Sequence, residues 1–437
     1  MIGDSGRTSA SIGRAHRRGG TRSRRKRMVA GVASAVLAAT GLAACSSANA
    51  GTGPVTLTYY LYPDTSVATS TAVSNCSKAS GGKYKISYQQ LPQAADGQRQ
   101  QLVRRLAAHD ASIDIMGLDV TWEAEFATAG WIEPWTGTYK AQAVADTLVP
   151  ALNTATWKGK LYAVPDNSNT QLLWYRSDLV PKPPTTWAEM IADAEQLAKA
   201  GKPHYIEIQG AQYEGATVWF NTMVSSAGGT VLNPDATKIT LDAPAVKALT
   251  IMKQLATSTA ADPSMSVQKE NENRLQMEAG NAAFMLNYPF VYPGMKMDTP
   301  KLFKVFKWAL YPSVTAGVPA KVTIGGIDLA VSAYSQHKDL AFQAALCLRN
   351  RENQLIGANV GGVPPTIASL YNDPKLFANY PFHADILKAL QNASVRPKTP
   401  VYQVVSIDIS HQISPAASIN PVSTLQDRKS TRLNSSH

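Results

Sequence analysis

Apolar positions change period along this chain, and the changes mark out alternating strands and helices. Thr56–Leu61 reads as a first strand, Ser66–Ala79 as a helix and Tyr84–Tyr88 as a second strand. Gln98–Ala108 places Leu102, Val103, Leu106 and Ala107 on one face, the spacing of an amphipathic helix. Ile113–Met116 is then an apolar strand running into Gly117-Leu118-Asp119. Strand, helix, strand, helix implies an α/β protein built on a mostly parallel sheet.

A second stretch repeats the grammar. Thr186 and Glu189 have the spacing of a capping box, Trp187, Met190, Ile191, Ala194, Leu197 and Ala198 recur at helical intervals, and Gly201 stops the helix. Pro181, Pro183 and Pro184 hold the segment before it extended. Helices are expected near Ala216–Ser226 and Ala243–Ala256, with a short one from Asn273 to Ala279 leading into a buried strand, Ala282–Leu286. Val322–Val331 reads as a strand interrupted by Gly325-Gly326, and Lys338–Arg349 as the helix after it. About 380 residues of this kind exceed one ordinary core and predict two lobes.

The start of the chain has a different pattern. A basic cluster (Arg22, Arg24, Arg25, Lys26, Arg27) precedes an apolar run, Val29–Thr40, and then Leu42-Ala43-Ala44-Cys45. Basic, apolar and small residues in that order are a secretory signal. A cysteine directly after Leu-Ala-Ala makes it a lipobox, whose rival is an ordinary signal with an incidental cysteine. Residues 1–44 are read as the lipoprotein signal peptide and Cys45 as the lipidated residue, with 45–54 a small, polar tether. The apolar run is shorter than the ~20 residues that span a bilayer. The protein is therefore expected outside the cytoplasm, held to the cell membrane by lipid. Cys76 and Cys347 remain, and an even pair in an oxidising compartment favours a disulfide over two separate buried thiols.

The formal charge of +11 misleads. Residues 1–44 contribute +8 of it and residues 427–437 another +2, which leaves +1 for the body. A nearly neutral body gives no electrostatic case for nucleic acid. The last eleven residues, Asp427–His437, are a codon-for-codon translation of a common sequencing-adapter sequence, and they are read as an artefact without function. No Gly-x-Ser-x-Gly, no Gly-x-x-x-x-Gly-Lys and no His-Glu-x-x-His occurs. The seven histidines are scattered, and no Cys/His cluster has metal-ligand spacing. No metal and no cofactor are expected.

Several segments together resemble a family. They are the lipobox, Gln101–Leu106, Leu118–Trp122, Asn169–Arg176, Leu172–Leu179 followed by Pro184-Thr-Thr-Trp187, Gly280–Pro289, Ala320–Gly326 and Val395–Gln403. They are similar to the sugar-binding proteins of bacterial ABC importers, and among these to the trehalose-binding lipoproteins of actinobacteria. The stretch from Tyr292 to Val318 is shorter here, and a terminal helix is missing. The resemblance implies a two-lobed periplasmic-binding-protein-like fold of the maltose-binding-protein type, with three interlobe crossings near Val164–Thr170, Val322–Leu329 and Gly361–Thr366. Lobe 1 would comprise 55–164 and 322–362, and lobe 2 would comprise 165–321 and 363–426.

It also implies a disaccharide in the cleft, no enzymatic activity, a monomer, and permease subunits of the importer as partners. The implied ligand-binding residues are Asp119, Asn169, Glu270, Tyr288 and Arg396, with Asp64, Trp122, Glu214, Gly361 and Gly362 beside them. Each suits a sugar. Carboxylates, amides and guanidinium groups bond hydroxyls, an aromatic ring stacks on a sugar face, and glycines let backbone N–H groups approach. Each also has an ordinary alternative: a helix cap for Asp119, a turn for Asn169, a solvated carboxylate for Glu270, a core aromatic for Tyr288, a surface salt bridge for Arg396. Tyr288 stands where those lipoproteins carry tryptophan. Three rival readings remain: the same fold binding maltose, a maltodextrin or another sugar; a secreted glycoside hydrolase using two of Asp64, Asp119, Glu214 and Glu270; and a structural lipoprotein of the cell envelope.

Overall fold

The computed structural model describes residues 53–424; Cys45, the leader before it and Asp427–His437 lie outside the described residues. In chain order, the elements that position the site begin with β1 (Val55–Leu61), α1 (Ala68–Ala79), β2 (Tyr84–Gln90), α2 (Ala95–Ala107), β3 (Ile115–Asp119), α3 (Glu123–Thr128) and β4 (Val164–Asn169). Then come β5 (Leu172–Arg176), α4 (Trp187–Lys199), β6 (Tyr205–Glu207), α5 (Glu214–Ser226), α6 (Ala243–Thr257), α7 (Glu270–Glu278), β7 (Ala282–Asn287) and β8 (Phe306–Ala309). The chain returns as β9 (Gly325–Val331) and α8 (Lys338–Leu348) and ends with α9 (Tyr402–Ile413).

Two sheets result. The first has the order β2-β1-β3-β9-β4, and the second β8-β5-β7-β6. Only β2-β1-β3 in the first and β6-β7 in the second are parallel; β9 is antiparallel to both its neighbours, and β5 to both of its own. The mostly parallel sheet expected from the βα alternation is therefore corrected. A helical crossover yields parallel strands, but β9 arrives from the other lobe. It enters at the end of β3, Ile327 opposite Asp119, and must run the opposite way.

The strand expected from Val322 starts only at Gly325, because the residues before it are held by the second lobe. The Thr323 backbone N–H donates to Thr222 Oγ1 at 3.0 Å, and Ile324 N–H to the Ser394 carbonyl at 2.8 Å. Likewise β4 stays in the first sheet as far as Asn169, opposite Gly325, so that sheet extends past residue 164. α7 starts at Glu270 rather than Asn273, since Glu272 folds back to accept from the Lys269 N–H at 3.1 Å. At α4 the capping box forms: Thr186 Oγ1 accepts from Glu189 N–H at 3.1 Å, and Glu189 Oε2 from Thr186 N–H at 3.2 Å.

Each sheet has its own core. The first buries Leu57, Ile115, Met116, Leu118, Phe126 and Trp135 under α1, α2 and α8. The second packs Trp187, Trp219, Phe220 and Met223 on one face and Trp174, Phe306 and Phe382 on the other. Cys76 on α1 and Cys347 on α8 form a disulfide with Cα atoms 5.7 Å apart, tying two helices of the first lobe. The link back to the second lobe runs past Gly361-Gly362, with the Ser168 N–H donating to the Pro364 carbonyl at 2.9 Å. Among the described residues no helix is long and apolar enough to cross a membrane.

Candidate functional site

The ends of β3 and β4 and the start of β9 lie side by side on one edge of the first sheet, facing the starts of α5 and α7 from the second. Arg396 joins the two sides. Its guanidinium is almost fully buried; Nη1 donates to Glu214 Oε1 at 2.5 Å, and Nη2 to Asp119 Oδ1 at 3.3 Å. Glu214 opens α5 in the second lobe, and Asp119 ends β3 in the first. One planar cation thus holds a carboxylate from each lobe, a geometry that suits arginine better than lysine.

Glu214 is further fixed by two hydroxyls on one face of α9. Tyr402 donates to Oε1 at 2.5 Å, and Ser406 donates to Oε2. Burial pushes the Glu214 carboxyl above the ordinary glutamate value, and Arg396 pulls the other way. Asp119 has a local duty as well: Oδ1 accepts from the Thr121 N–H at 3.0 Å and its hydroxyl at 2.8 Å, which turns the chain into α3. The capping and site readings of Asp119 coexist in one carboxylate.

Tyr288 follows β7, its N–H donating to Asn287 Oδ1 at 2.8 Å. Burial raises its hydroxyl pKa, and the nearby carboxylates of Glu270, Asp119 and Glu214 add to the rise while Arg396 opposes it. Tyr288 is therefore within electrostatic reach of all four charged groups. Glu270 opens α7; burial raises its carboxyl too, and the neighbouring Tyr213 hydroxyl and Lys269 ammonium counter this. The Lys269 ammonium lies 5.1 Å from the centre of the Tyr213 ring. Gly215 makes room for that ring, since a Cβ there would fall 2.1 Å from the Tyr213 hydroxyl.

Asn169 ends β4 with its side-chain oxygen buried and without a partner. Such an atom is costly to leave unbonded, and Gly325 lies close to both Asn169 and Arg396. The site of a Cβ on Gly325 would be 3.6 Å from Asn169 Cβ and 4.0 Å from Arg396 Nη2. The cluster of Asp119, Asn169, Glu214, Glu270, Tyr288 and Arg396 therefore offers carboxylates, an amide oxygen, a guanidinium and an aromatic ring on facing walls.

The other candidates have different surroundings. Asp64 gives both oxygens to the start of α1, Oδ1 accepting from the Ser66 N–H and hydroxyl at 2.7 Å and Oδ2 from the Thr69 N–H at 2.8 Å. Trp122 is buried in the first-lobe core, stacked on Phe126 at 6.2 Å between ring centres. Gly361 approaches the Ser66 hydroxyl, and Gly362 sits at φ +71°, where a Cβ would come within 2.8 Å of Phe290 Cα. The two glycines allow the backbone to pass close at the third crossing. Sequence reasoning missed Tyr402 and Ser406. Their signal is i,i+4 spacing, which puts both hydroxyls on one helix face.

A model of the bacterial extracellular solute-binding protein family matches residues 78–354. The chain is 31% identical over 335 residues to a probable ABC transporter-binding protein of Deinococcus radiodurans, covering 74% of this chain and 78% of the relative. A mannitol-binding protein of Pseudomonas aeruginosa is 26% identical over 132 residues, 29% of each chain. Among solved structures, maltose-bound T. maritima MalE3 superposes with a TM-score of 0.78 at 25% identity, covering 85% of this chain and 97% of that one. The GacH receptor of Streptomyces glaucescens, solved unliganded and with acarbose, gives 0.74 at 22% identity, with 88% and 100% covered. The matched family and fold are those of binding proteins rather than enzymes.

Proposed function

Because the chain belongs to the bacterial extracellular solute-binding proteins, we propose that it is the receptor of an ABC sugar importer and captures trehalose between its two lobes. The observation that carries this reading is Arg396, bonded at once to Asp119 of the first lobe and Glu214 of the second. Such a bridge couples the approach of the lobes to the polar groups a sugar would meet. Hydroxyls of one ring would find Asp119, Asn169 and Arg396, and the other wall would present Glu270 and the Tyr288 ring. The receptor is anchored outside the cytoplasm by lipid on Cys45, and its closed form docks on the permease. No bond in the sugar is made or broken.

A second reading is the same receptor with maltose or a maltodextrin as ligand, favoured by the likeness to maltose-bound MalE3. Calorimetric titration of trehalose, with maltose alongside, into the soluble chain from Ser46 onward separates the two after cooperative unfolding has been verified. Tight one-to-one binding of trehalose with weak maltose binding is the expected result. The reverse order assigns the receptor to maltose. Binding of neither by the folded protein, or release of glucose during the titration, refutes the trehalose receptor.

A further inference from the structure

The segment that carries Arg396 touches the first lobe twice more, away from the sugar-facing cluster. It is rooted in the second lobe: the Ser394 N–H donates to the Val322 carbonyl at 2.9 Å, and the Thr217 hydroxyl on α5 donates to the Ser406 carbonyl of α9 at 3.0 Å. From that base Lys398 reaches across, and its ammonium donates to the Asn153 carbonyl at 2.6 Å and the Thr156 carbonyl at 2.5 Å. Asn153 lies in the last turn of a short helix, Val149–Thr154, and Thr156 opens the two-residue strand after it, with Ala155 of the first-lobe core between them. At the second residue of α9, Gln403 Nε2 donates to Asp96 Oδ1 at 2.8 Å, and Asp96 lies in the first turn of α2.

We propose that Lys398 and Gln403 are a closure latch: side chains of the second lobe that dock on Asn153, Thr156 and Asp96 of the first only while the lobes are together, and so set how long a ligand stays bound. The proposal rests on the receptor reading and adds a regulation of the same cleft. Three features of Lys398 fit the role. Its acceptors are backbone carbonyls, which no side-chain change on the partner lobe removes. A cation beside the last carbonyls of a helix is favourably placed. Burial lowers the pKa of its ammonium, and two buried carboxyls of the first lobe, Glu123 and Asp328, oppose that shift. Asp328 is itself held there by the Thr154 hydroxyl at 3.1 Å. The latch differs from the Arg396 bridge in that its acceptors, Asn153, Thr156 and Asp96, are not members of the cluster around Arg396.

The test is a split of rates. In Lys398→Met, trehalose dissociation followed by stopped-flow tryptophan fluorescence is expected to be about tenfold or more faster, with the association rate within threefold of the parent. Lys398→Arg, which can still donate to both carbonyls, restores most of the residence time. Gln403→Ala moves the dissociation rate the same way by a smaller factor, and it carries the test if Lys398→Met fails to fold. An unchanged dissociation rate in folded Lys398→Met and Gln403→Ala overturns the latch, as does slower association as the sole effect. If the parent protein binds no sugar, the receptor reading fails by itself. The latch is then read from solution scattering of the sugar-free Lys398→Met/Gln403→Ala variant. A larger radius of gyration than the parent's supports it, and an identical one refutes it.

Discussion

Replacing Arg396 with lysine keeps a positive charge at the cleft and removes a geometry. The guanidinium reaches Glu214 at 2.5 Å and Asp119 at 3.3 Å through two different nitrogens, with 3% of the side chain exposed. An ammonium is a compact point charge and cannot occupy both positions. The variant therefore keeps the shorter contact, to Glu214, and gives up the bond to the other lobe. A hydrogen bond to a charged group is worth about 1.5–3 kcal/mol, and at about 1.4 kcal/mol per decade its loss weakens sugar binding about 10- to 150-fold. Folding should suffer less, because Glu214 retains a cation and the Tyr402 and Ser406 hydroxyls. Calorimetry for affinity and urea melts for stability measure the two effects separately. Arg396→Lys binding within threefold of the parent refutes the idea that this bridge contributes to closure. A cycle with Asp119→Asn gives a further check, since the two substitutions remove the same bond and their effects should not add.

Other consequences concern the frame around the cleft. Glu207 on β6 is fully buried, and burial, reinforced by Asp262, pushes its carboxyl from 4.5 up to about 9. The native state then holds a proton that the unfolded chain releases, so this group takes stability away as pH rises from about 4.5 towards 9. Glu207→Gln should remove that slope and raise stability at pH 7 by about 3 kcal/mol, with little change near pH 4.5; parallel melting curves across pH for parent and variant would contradict it. Reducing Cys76–Cys347, which closes a loop of 271 residues, should cost about 2–5 kcal/mol, read as a lower urea midpoint in the presence of reductant. Gly362→Ala puts a side chain at φ +71° against Phe290 and should cost about 1–3 kcal/mol. Its effect belongs to the third crossing, so sugar affinity should fall with it, and an unchanged affinity would show that the crossing tolerates displacement.

Local signals in the sequence were readable where the physics is local. The capping box at Thr186 and Glu189 and the period of the α4 face depend on residues within one turn, and both form. Asp119 is singled out by the family resemblance, and the pattern itself gives only its place at the end of an apolar strand. The direction of β9 could not be read, since period-two alternation is the same for parallel and antiparallel strands. The hydroxyls of Tyr402 and Ser406 acquire their meaning only when α9 packs on α5, some 190 residues earlier in the chain. Asp64 illustrates another limit: a carboxylate that caps a helix and one that awaits a ligand are the same letter, and here both oxygens cap α1.

The charges of the cluster argue about ligand chemistry in a way that no single residue does. Asp119, Glu214 and Glu270 stand against one guanidinium, already shared between the first two, and the Lys269 ammonium beside Glu270. A neutral polyol would suit this set, because a hydroxyl can donate to a carboxylate and accept from Arg396. On the receptor reading, an anionic ligand would meet more carboxylates than cations in a buried setting, where like charges repel. Discrimination against anions would then act as repulsion rather than through a missing contact. A phosphorylated disaccharide should bind at least about 100-fold more weakly than its parent sugar, corresponding to about 2.7 kcal/mol. Competition calorimetry tests this, and equal affinity for the two would mean that the acidic residues face away from the ligand.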